Sequence, residues 1–229
     1  MHDFLPTAPA SLTSVTPAAR TSRRALGIAG LLAVAAAHPA AAYTVTLTAA
    51  APLTVYLQVG VGSFTNDYIN GGQPENNTTI NTVSATVAAG AVGNGTAQAM
   101  TTNSTATQSY WDGYTYCSVP GQLYIGGFYR TTGAATAAAR VTATVPAALT
   151  NATGQTIPFS KIQWTSSGNG DTGAEPFPAG TFSNGGVQSV GAMSSNTWNE
   201  SCWTFTYLNN TVPAAGTYTG VVLYTLSAP

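Results

Sequence analysis

Apolar and polar residues alternate along much of the chain, most cleanly in the runs that follow residue 42 and in those that close it. Tyr43, Val45, Leu47 and Ala49 share one parity, with Thr44, Thr46 and Thr48 on the other. Pro52 interrupts the pattern, and Leu53, Val55, Leu57, Val59 and Val61 resume it. A period of two sends successive side chains to opposite faces, so each run predicts a strand with one buried face. The same reading covers Arg140–Val145, Trp198–Leu208 (with Trp203, Phe205 and Tyr207 on one side) and the closing run that carries Tyr218, Val222, Tyr224 and Leu226.

Two runs carry a local irregularity. Leu123–Ile125 and Phe128–Tyr129 flank Gly126-Gly127, which predicts a bulge or bend in one strand. Ile157 and Phe159 have one parity and Ile162 and Trp164 the other, so keeping all four inward requires a bulge near Ser160-Lys161. Val83–Ala89 and Thr181–Val190 read as further strands. Gly60–Asn81 and Ser166–Gly180 are rich in turn formers and read as loops. Ala91–Gln108 holds little that could fill a core and reads as an irregular surface stretch. Asp112-Gly113, inside the aromatic run Tyr110–Cys117, is a hairpin signal. About ten short strands joined by long polar loops, with no amphipathic helix, predict an all-β antiparallel β-sandwich.

The first 42 residues read as a cleaved export leader. Arg20, Arg23 and Arg24 precede the apolar run Ala25–Ala37, and Ala40-Ala41-Ala42 has the small-residue form of a cleavage site. That apolar run is too short for a membrane-spanning helix, which needs about 20 residues. The remainder, 43–229, suits one domain. It holds three basic residues, Arg130, Arg140 and Lys161, against six acidic ones, a formal charge of about −3. Three scattered cations neutralise too few phosphates for nucleic acid, and too little anionic lipid for a membrane surface. The expected location is secreted or at the cell surface, with no membrane span once the leader is gone.

Removing the leader also removes both histidines, His2 and His38. Ser–His–Asp and Cys–His catalysis then cannot be assembled, and a zinc site loses its usual nitrogen ligand. Carboxylate pairs for glycoside hydrolysis remain, Asp171 with Glu175 or Asp112 with Glu200. Against six acids in a polar chain, solvated surface charge is the simpler reading, so no enzyme, catalytic residue, metal or cofactor is expected. Cys117 and Cys202, an even pair in an exported chain, predict a disulfide. Trp111, Tyr114 and Tyr116 are candidates for a glycan-stacking platform, with core packing as the alternative.

Both ends of the expected mature chain resemble bacterial fimbrial subunits of the chaperone–usher kind, especially alpha-type pilins, and spore-coat-protein-U-like proteins. The similarity lies in Tyr43–Thr48 with Pro52–Val55, in Thr156–Phe159 with Trp164, and in Pro213–Leu226. It covers about a quarter of the chain. The resemblance implies an immunoglobulin-like sandwich completed by a neighbour's N-terminal strand, a β-augmentation. Tyr43, Val45, Leu47 and Ala49 would then be the donor-strand side chains, and the partners would be further copies or other surface subunits. The alternative is a self-contained adhesin or carbohydrate-binding module, in which the same strand completes its own sheet.

Overall fold

Fourteen β-strands and no α-helix form the regular structure of the residues described in a computed structural model, which are 45–48, 54–132, 137–169 and 173–229. In chain order the strands are β1 (Val45–Thr46), β2 (Thr54–Val59), β3 (Val83–Ser84), β4 (Gln98–Ala99), β5 (Thr101–Thr102), β6 (Leu123–Arg130) and β7 (Ala139–Val145). They continue as β8 (Ala148–Thr150), β9 (Thr156–Pro158), β10 (Ile162–Ser167), β11 (Gly180–Thr181), β12 (Gly186–Met193), β13 (Thr197–Tyr207) and β14 (Leu223–Ser227). The expected leader, Tyr43, Ala49, Pro52 and Asp171 lie outside the described residues. No helix among the described residues is long and apolar enough to cross a membrane.

Two sheets carry the architecture. The larger has the order β11–β10–β13–β6–β2, with β1 and β4 also paired to β13. The smaller has the order β12–β7–β14. Every ladder in both is antiparallel. Leu123, Ile125, Trp164, Trp203 and Phe205 from the large sheet join Val141, Ala143, Val190 and Met193 from the small one in a single buried cluster. Two antiparallel sheets closing on one apolar layer make a β-sandwich, the class that the alternation predicts.

Among the described residues strand β13 is the longest, and it pairs with four others, β1, β4, β6 and β10. Its odd positions, Trp203, Phe205 and Tyr207, face the main core. Its even positions, Trp198 and Cys202, are just as buried but enter two smaller clusters on the opposite side of the sheet. Loops from the first half of the chain cover that second side. A strand buried on both faces has no solvent face to show, so an unpaired polar group on it is costly; the Tyr207 hydroxyl, at its end, is buried without a hydrogen-bond partner.

Three local expectations change. Gly126-Gly127 makes no bulge: β6 runs unbroken, with Asn199 opposite Gly127 and Glu200 opposite Gly126. The glycines are there for close approach, since a Cβ on Gly127 would lie 2.1 Å from the Tyr56 carbonyl oxygen. The parity switch after Phe159 is real, but a 3-10 turn at Phe159–Lys161 makes it instead of a bulge. Ile157, Phe159, Ile162 and Trp164 are all buried as a result.

The third change is Ala91–Gln108. Met100 is buried in the main core and its amide bonds the Phe205 carbonyl. Residues 91–96 are pinned by Asn209, which is fully buried in a left-handed turn. Asn209 Nδ2 donates to the Ala91 and Thr96 carbonyls and to Asn94 Oδ1, while Asn209 Oδ1 accepts the Gly93 amide at 2.9 Å. Backbone polar groups paired in this way need no large apolar side chains to stay in place.

Candidate functional site

The side of β13 away from the main core carries the chemistry. Trp198 packs there with Phe128, Val45 and Leu47, ringed by half-buried Tyr56, Phe64, Tyr68, Tyr110 and Trp111. The two described members of the candidate donor strand are therefore held within their own chain. Val45 lies opposite Trp198 in the β1–β13 ladder, and the Leu47 amide bonds the Asn196 carbonyl at 2.8 Å.

Of the three candidate platform residues, Trp111 is stacked on Tyr68, with ring centres 5.4 Å apart. Tyr116 donates its hydroxyl to the Glu200 carbonyl at 3.0 Å and packs against Tyr124. Tyr114 projects from the tight Asp112-Gly113 turn and is 76 % exposed. The three rings thus have three separate environments. Arg130, at the end of β6, lies over the Tyr68 and Phe128 rings and donates from Nη1 to the Tyr68 hydroxyl at 2.7 Å.

Glu200 is the most unusual side chain of the site. Three neutral donors from three parts of the chain converge on its Oε2: Ser109 Oγ at 2.8 Å, Tyr124 Oη at 2.7 Å and Trp198 Nε1 at 2.9 Å. Burial pushes its carboxyl pKa up, the three hydrogen bonds pull it down, and the nearby Asp112 charge adds to the rise. The net shift is upward. Tyr124 is fully buried and its hydroxyl is pushed well up, chiefly by desolvation, so it remains a donor. One signal in the sequence does point here, a lone carboxylate within a strand that has tryptophan on either side. Its partners at 109 and 124 are not readable from the sequence.

The other carboxylates are more ordinary. Glu175 accepts from the buried Ser201 hydroxyl at 3.0 Å, and Glu75 from Ser63 at 3.0 Å. No group of three or more His, Cys, Asp or Glu side chains placed to hold a metal occurs among the described residues. Beside this site Cys117 and Cys202 form a disulfide, with Cα atoms 5.6 Å apart, tying the loop before β6 to β13.

The sandwich also has open margins. A groove of about 370 Å³ runs along β2, between that strand and residues Glu75–Thr79. On the same side, β14 ends the small sheet. The chain matches no family model, no curated protein and no solved structure.

Proposed function

We propose that this chain is an exported structural subunit of a bacterial cell surface, of the fimbrial kind, in which copies associate by β-strand pairing and no reaction is catalysed. The observation that carries the reading is the contrast between the four strands that end the two sheets. β11 is only two residues long, and β12 has a register shift between Ser189 and Gly191 with Pro176 bonded to its edge. Those are the usual ways of keeping a sheet edge from pairing with another chain. β2 and β14 are longer and regular, and neither contains a charged residue, a proline or a register shift, although residues 75–79 stand beside β2.

Both strands also leave core residues partly exposed, Leu57 and Val59 on β2 and Tyr224 and Leu226 on β14. Val55, of the same parity as Leu57, is 49 % exposed. An added strand would cover these side chains while continuing the backbone ladder. An immunoglobulin-like sandwich completed by a neighbour fits this reading. The strand at 43–49 can be the donor only by leaving Trp198, and a neighbour's copy of Val45 and Leu47 would then fill the vacated place with identical contacts. The low charge, with three basic and six acidic residues after position 42, leaves little electrostatic repulsion between copies.

The test is the mass of purified 43–229 beside a version that begins at Pro52. Multimers of the longer form that vanish on truncation point to strand exchange. A monomer at every concentration for both would sink the reading.

A further inference from the structure

We infer that β14 is the surface through which two copies of this chain pair about a two-fold axis, making one continuous sheet of the two small sheets. The inference rests on the reading above that copies associate through strand edges, and it names the edge and the occupant. β14 hydrogen-bonds to β7 alone: among the described residues nothing else bonds the backbone of Val221–Pro229. The edge of β2, by contrast, already faces the wall formed by Glu75–Thr79.

A second copy is the occupant because the edge is complementary to itself. An antiparallel pair centred on Thr225 overlaps all five residues of the strand. It sets Leu223 against Ser227 and Tyr224 against Leu226, and Thr225 meets its own symmetry mate. No charge is opposed anywhere along that line, and Thr–Thr is a favourable cross-strand pair. The only charge on the adjoining strand, Arg140, lies level with Ser227 at one end, so the two copies of it are carried to opposite ends of the pair.

The outward face supports the same partner. Leu223, Thr144 and Val187 form one row across the small sheet, from β14 through β7 to β12. Leu223 is 63 % exposed and Val187 68 %. Two-fold pairing would place Leu223 beside the partner's strand and shield it, whereas a charged or proline-bearing partner would not. The interface is isologous, so it closes at two copies and does not by itself build a fibre.

The experiment compares the exported chain with its Thr225→Lys, Thr225→Glu and Val55→Lys variants by sedimentation and by amide exchange at several concentrations. The wild-type chain is expected to dimerise, with Leu223–Ser227 amides more protected as concentration rises. Thr225→Lys puts two ammonium groups face to face and should weaken the dimer roughly tenfold or more. Mixing Thr225→Lys with Thr225→Glu should restore it, and Val55→Lys should leave it intact. Because residue 225 is exposed, an unchanged melting curve for the monomer shows that the variant still folds.

A Thr225→Lys chain that associates like wild type overturns the inference. If Val55→Lys then disperses the assembly, strand pairing stands and β2 is the edge used. If every form is monomeric, the inference and the reading beneath it fail together.

Discussion

Gly126 lies directly opposite Glu200 on neighbouring strands β6 and β13, and the Tyr124 ring occupies the space that a side chain at 126 would fill. Tyr124 thereby reaches Glu200 Oε2 at 2.7 Å, on the side of the sheet away from the main core. Loop 105–117, β6 and β13 meet at this one carboxylate.

The first prediction concerns its proton. Burial raises the Glu200 pKa above that of an unfolded glutamate, so between the two values the folded chain binds more protons than the unfolded one. Stability from this group is therefore greatest in acid. It falls as pH rises from the ordinary glutamate range, near 4.3, up to the raised folded value, and is level above that. Glu200→Gln keeps a carbonyl oxygen for the three donors and should flatten this slope in urea unfolding measured against pH. Glu200→Ala strands three buried donors and should cost about 2–4 kcal/mol at neutral pH. A wild-type slope of the opposite sign would show that the hydrogen bonds outweigh burial.

The Cys117–Cys202 bridge spans a sequence separation of 85. In the chain-entropy model such a loop stabilises by about 4.5 kcal/mol. Replacing both cysteines by serine should lower the urea midpoint accordingly. The loss should fall mainly on the unfolded reference state, leaving the strand content seen by circular dichroism unchanged.

Asn209 supplies a third prediction. Its amide satisfies two carbonyls, one side chain and one backbone amide of residues 91–96. Asn209→Ala removes every one of those bonds inside a fully buried space, with an expected loss of about 2–4 kcal/mol. Amide exchange at Gly93 and Gly95, which bond to Asn209 through its side chain and its carbonyl, should accelerate before the rest of the chain. Uniform acceleration would mean that the turn is no local clasp.

How much of this was legible depends on how local the determinant is. The alternation of Val141, Ala143 and Val145, and of Trp203, Phe205 and Tyr207, places both sets inside as expected, because parity alone decides which face is buried. The disulfide follows from the count of cysteines in a chain that reads as exported. The closing strand keeps the expected parity at Tyr224 and Leu226 but begins only at Leu223; Thr219 instead bridges to Thr150. Trp111, Tyr114 and Tyr116 are neighbours in sequence, but Trp111 stacks on Tyr68 and Tyr116 packs against Tyr124 while Tyr114 is exposed. Apart from Trp198, two positions away, the groups that the Glu200 and Asn209 side chains bond lie 76 to 118 positions away, and no window of sequence contains both ends of such a bond.

The last prediction returns to Gly126. A Cβ there would stand 2.4 Å from Tyr124 Oη and under 3 Å from two of its ring carbons. A flexible side-chain tip could normally swing away, but Tyr124 is fully buried and its hydroxyl is committed to Glu200. Moving the ring breaks that bond and leaves Glu200 with two of its three donors. Gly126→Ala should therefore cost about 1–3 kcal/mol from overpacking, plus the share of the lost hydrogen bond. The two terms separate in a double-mutant cycle with Tyr124→Phe, which removes the hydroxyl and with it both the clash at Oη and the bond. If Gly126→Ala costs as much in the Tyr124→Phe background as in wild type, the strain lies in the ring carbons or the strand and not in the hydroxyl's bond to Glu200. A cost smaller by about 1 kcal/mol or more would show that Gly126 exists to let Tyr124 reach the buried carboxylate.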